Sequence, residues 1–146
     1  LLGGNGTGKT EFYDELNSQL ISKCRFVEGL SFTTSITDIH KIIIHHLYEY
    51  RKKHMEELIQ KYEKLVKDGL TAKRNSVIYR ALEMGAVEIL IVSTNYHTHS
   101  QFKNIIKMLE IAKKTSCKIE FASSSKIIKK LEIDDSVLAI LRYKIK

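Results

Sequence analysis

The chain has 146 residues, 43% of them hydrophobic and 28% charged, with a formal net charge of +7, so it has room for one domain, or for a small domain and part of another. No apolar run approaches the roughly 18 residues of a membrane span, and the two cysteines, Cys24 and Cys117, lie far apart without a C-x-x-C partner; a membrane protein, a disulfide framework and a zinc site are not expected, and a reducing cytoplasm is the default. The positive charge favours anionic partners such as RNA, although the lysines are spread along the chain and not gathered in one stripe.

A start at Leu1-Leu2-Gly3, without an initiator Met, reads as a piece of a longer chain, with Leu1-Leu2 as the tail of a buried strand. Gly3 to Gly8 is a loop. Phe12, Leu16 and Leu20 recur at spacing four and predict one helix over Lys9 to Lys23. A short strand over Cys24 to Glu28 and a turn over Gly29 to Thr34 follow. Next comes a long helix from Ser35 to Lys67, capped by Thr34 or Ser35 and stopped at Asp68-Gly69. Proline is absent, so nothing breaks it. One small domain rarely needs such a helix, and its apolar pattern thins at Arg51-Lys52-Lys53-His54, which places a domain seam there: 1–50 and 51–146. The last third alternates: helix Asn75 to Met84 ended by Gly85, strand Val87 to Val92, helix Gln101 to Lys114, strand Lys118 to Ala122, helix Ser125 to Leu131, strand Val137 to Tyr143. That order predicts an α/β sandwich with helices on both faces of a sheet.

Gly3-Gly4-Asn5-Gly6-Thr7-Gly8-Lys9-Thr10 fits the nucleotide-binding pattern G-x-x-x-x-G-K-[ST], in which backbone N–H groups cradle phosphates, the lysine neutralises them and the hydroxyl holds magnesium. Such an enzyme also needs an acidic residue at the tip of a second strand. The three apolar strands of the last third run into Ser93-Thr94-Asn95, Ser123-Ser124-Ser125 and Arg142-Tyr143-Lys144, none of them acidic. The expectation is therefore a structural turn built by Gly3, Gly4, Gly6 and Lys9, with a P-loop NTPase as an alternative reading.

The segment from Ala81 to Val92, ALEMGAVEILIV, resembles the helix–turn–strand signature of class-1 peptide chain release factors of the archaeal/eukaryotic type. Gly3-Gly4-Asn5-Gly6 with Lys9, Glu11 and Phe12 is similar to the glycine loop of that family's middle domain, Lys67-Asp68-Gly69-Leu70 to its stop before the C-terminal domain, and Ala139 to Lys144 to its last strand. The resemblance implies a partial middle domain (strand-loop-helix-strand-helix) followed by a ribosomal-protein-like α/β/α sandwich. The family's usual minidomain is missing, because only Ser93 to Ser100 separates the signature strand from the next helix. That short connection is more like pelota, the paralogue that rescues stalled ribosomes, which stands as the runner-up.

What the resemblance implies is a cytoplasmic translation termination factor part that acts at the ribosomal A site by docking, without catalysis, cofactor or metal. The family's catalytic Gly-Gly-Gln does not occur in the chain. The implied partners are a translational GTPase (a class-2 release factor or an elongation-factor-like protein), an ABC-type ribosome-recycling ATPase, and the ribosome with its rRNA. The expected contact surface is Ile59, Tyr62, Glu63 and Val66 on the long helix, with Arg142 of the last strand, as exposed apolar anchors in a charged rim. Charged residues at Ile59 and Tyr62 are then expected to abolish GTPase binding and leave the fold intact. The competing reading has Leu58, Tyr62 and Leu65 packing on the sheet. Arg51, Lys52 and Lys53 either touch rRNA or form a solvated face. His97-x-His99 reads as a surface pair, and Asp134-Asp135 as turn residues.

Overall fold

The computed structural model describes residues 1–98, 100–122, 129 and 136–145. The predicted helix over Ser125 to Leu131, with His99, Ser123 to Ser125 and Asp134-Asp135, lies outside these apart from Lys129. The chain forms two compact units, Leu1–Arg51 and Lys52–Lys146.

The first unit opens with strand β1 (Leu2–Gly3), which pairs in parallel with β2 (Phe26–Val27). A methyl group on Gly3 would press on the Leu30 side chain, which would have to turn aside. The loop that follows turns through Gly6 at φ 69°, a left-handed conformation natural to glycine. The predicted single helix over Lys9 to Lys23 is two pieces, α1 (Gly8–Asp14) and α2 (Ser18–Ile21). Asn17 makes the break: its backbone is extended, and its side chain accepts the Leu20 N–H at 3.0 Å as the cap of a new helix. The leucine spacing that suggested one helix is local, and this competing cap overrode it.

Helix α3 (Ile36–Val66) starts at Ser35, whose hydroxyl accepts the Asp38 N–H at 3.1 Å and donates to the Asp38 carboxylate at 2.7 Å. It stops as predicted at Asp68-Gly69: Gly69 has φ 64°, and the Leu70 N–H reaches back to the Leu65 carbonyl at 3.2 Å.

In the second unit the sheet order is β3 (Thr71–Ala72), β6 (Val137–Leu141), β4 (Val87–Ser93), β5 (Lys118–Ala122). The β4–β5 pair is parallel, and β6 runs antiparallel to both β3 and β4. Strand β3 was not predicted; two residues are too short to show a period. Strand β6 ends at Leu141, two residues before the predicted Tyr143. The α4 (Asn75–Glu83) to β4 joint forms as the sequence required, with Gly85 at φ 65° and the Ala86 N–H bonded to the Ala81 carbonyl at 2.9 Å.

Alternation along the two central strands divides the core. Leu90 and Val92 of β4, with Val137, Ala139 and Leu141 of β6, belong to the cluster that holds Ile78 and Leu82 of α4 and Ile105 and Met108 of α5 (Phe102–Lys114). Ile89 and Ile91, with Leu138 and Ile140, belong to a second cluster with Met55, Leu58, Ile59 and Tyr62 of α3. Helices therefore cover both faces of the sheet, the predicted α/β/α sandwich.

Candidate partner-docking surface

Residues 55 to 66 of α3 repeat apolar side chains at spacings of three and four, and the period decides which of them meet the sheet. Met55, Leu58, Ile59 and Tyr62 point inward; Ile59 is 8% exposed and Tyr62 is 6%. The expectation that Ile59 and Tyr62 stand exposed as docking anchors is therefore corrected: both are core residues under Ile89, Ile91 and Ile140. Leu58 is buried and Leu65 packs against the same cluster. What remains outside is Glu63 and Val66, the latter 51% exposed, beside Lys64 and Lys67.

Arg142, exposed as expected, has a structural role as well. Its Nη1 donates to the Gly85 carbonyl at 3.0 Å and its Nη2 to the Ser116 carbonyl at 3.1 Å. Gly85 and Ser116 are the left-handed residues that end α4 and α5, so one guanidinium closes the negative ends of two helices. Tyr143 adds its hydroxyl to the Met84 carbonyl at 2.7 Å. Arg142 holds the fold together. Replacing it with alanine is expected to lower stability in a urea titration by about 1–2 kcal/mol, the low end for charge-assisted bonds because the side chain is exposed.

Two charged contacts pin α3 and β4 to their surroundings. Glu88, the one charged residue of β4, sits at a register shift in the β4–β6 ladder and accepts from Lys61 at 2.9 Å. His54 Nε2 lies 3.2 Å from the Glu120 carboxylate, which Lys118 approaches at 2.7 Å. Burial alone would raise the Glu120 pKa, but the hydrogen bonds and charges of Lys118 and His54 outweigh it and hold the carboxyl below its ordinary value. A lowered folded-state pKa means the contribution is fully present above the unfolded value of about 4.3 and is lost as pH falls through the folded value. Glu120→Gln is expected to flatten the loss of stability between about pH 5 and pH 3 in urea melts.

In the first unit the glycine loop links β1 to α1, and Lys9 donates to both oxygens of Glu28 at 3.2 and 3.3 Å. Glu28 directly follows β2, so the premise that no strand tip carries an acid was incomplete: the strand predicted over Cys24 to Glu28 already ended in one. Gly4 has φ 146° and Gly6 has φ 69°, which accounts for glycine at both positions. Among the described residues no three His, Cys, Asp or Glu side chains come close enough together to hold a metal ion, and no helix is long and apolar enough to cross a membrane.

No family model and no curated protein matches the sequence. Solved structures do match. Archaeal Pelota, from a model of the ribosome-bound protein with ABCE1, is 20% identical with a TM-score of 0.71 over 99% of this chain and 43% of its own. Saccharomyces cerevisiae Dom34, a translation termination-like factor involved in RNA quality control and interacting with Hbs1, is 16% identical with a TM-score of 0.70 over 98% of this chain and 45% of its own. The C-terminal domain of the Methanosarcina mazei peptide chain release factor is 15% identical with a TM-score of 0.58, over 77% of this chain and 98% of its own. The chain spans less than half the length of the two longer proteins. The shared fold is that of the C-terminal part of Pelota and the class-1 release factors.

Proposed function

We propose that the chain is the C-terminal, partner-docking part of a cytoplasmic factor that terminates translation or rescues stalled ribosomes. The observation that supports this best is the match of nearly the whole chain, across both units, to ribosome-bound archaeal Pelota. The short connection from Ser93 to Ser100 favours the rescue type over the release type. Between β4 and α5 it holds one 3₁₀ turn, Tyr96–Thr98.

On this reading the second unit offers the outer side of the last turns of α3, around Glu63 and Val66, to a translational GTPase, and then meets the ABC-type ATPase that splits ribosomes. Chemistry on peptidyl-tRNA or on nucleotide belongs to other parts of the assembly. The glycine loop is proposed to be structural, with the Lys9 ammonium held by Glu28.

The test is a calorimetric titration of the full-length protein with the translational GTPase of its own organism. Glu63→Lys combined with Val66→Asp is expected to weaken binding at least about tenfold, the scale of losing a small apolar anchor with its rim charge. The melting temperature should stay within a few degrees, because both side chains are exposed. Unchanged affinity rejects this surface.

A further inference from the structure

We draw no further inference here: the strongest candidate, the surface patch of exposed apolar side chains Ile36, Ile44, Leu47 and Tyr48 on the first half of α3 in the first unit, carries nothing because nothing in the structure shows what covers it.

Discussion

Aspartate at either Ile59 or Tyr62 is expected to unfold the Lys52–Lys146 unit, and any loss of partner binding would follow from that. Both side chains sit in the α3-side core, under β4 and β6. A carboxylate there loses its hydration, a penalty of several kcal/mol even after relaxation. The lost apolar contacts add about 2–5 kcal/mol. Against a total stability of about 5–15 kcal/mol, one such change is enough to populate the unfolded state and two leave little folded protein. Circular dichroism and urea melts read the effect directly. A cooperative melt near that of the unsubstituted chain, for either variant, would mean that α3 does not pack as described. The contrast with Glu63→Lys and Val66→Asp then separates two routes to lost docking: one breaks the fold, and the other alters only the surface.

Ile59 and Tyr62 also show what the sequence could and could not say. The three/four spacing along α3 was plain, as were its cap at Ser35 and its stop at Gly69. Which residues faced the sheet was not, because a helix bearing apolar side chains on more than one side has no unique inward face until its partner strand is fixed. Glu63 and Val66 were legible as surface only once Tyr62 was seen to be core. Arg142 posed the same difficulty. A basic residue after a final strand reads as a surface charge, and nothing local indicates that Gly85 and Ser116 bring two helix ends under it. The α4–β4 joint was legible because its cause is local: a glycine at a left-handed cap followed by a buried strand. Strand β3 and the Lys9–Glu28 pair depend on long-range pairing and left only weak local traces.

Leu90→Ala and Ile91→Ala should each cost about 2–5 kcal/mol, because both side chains are fully buried in the central strand. Their consequences should nonetheless differ, since adjacent strand residues face opposite ways. Ile91 supports α3, and Leu90 supports α4 and α5. A cavity beneath α3 lowers the free energy of its local opening, so amide exchange in residues 52–66 of the Ile91→Ala variant should rise more than in α4 and α5. The Leu90→Ala variant should show the reverse. GTPase affinity should fall more in the Ile91→Ala variant than in the Leu90→Ala variant. Identical exchange patterns would mean that the sandwich opens as one cooperative body.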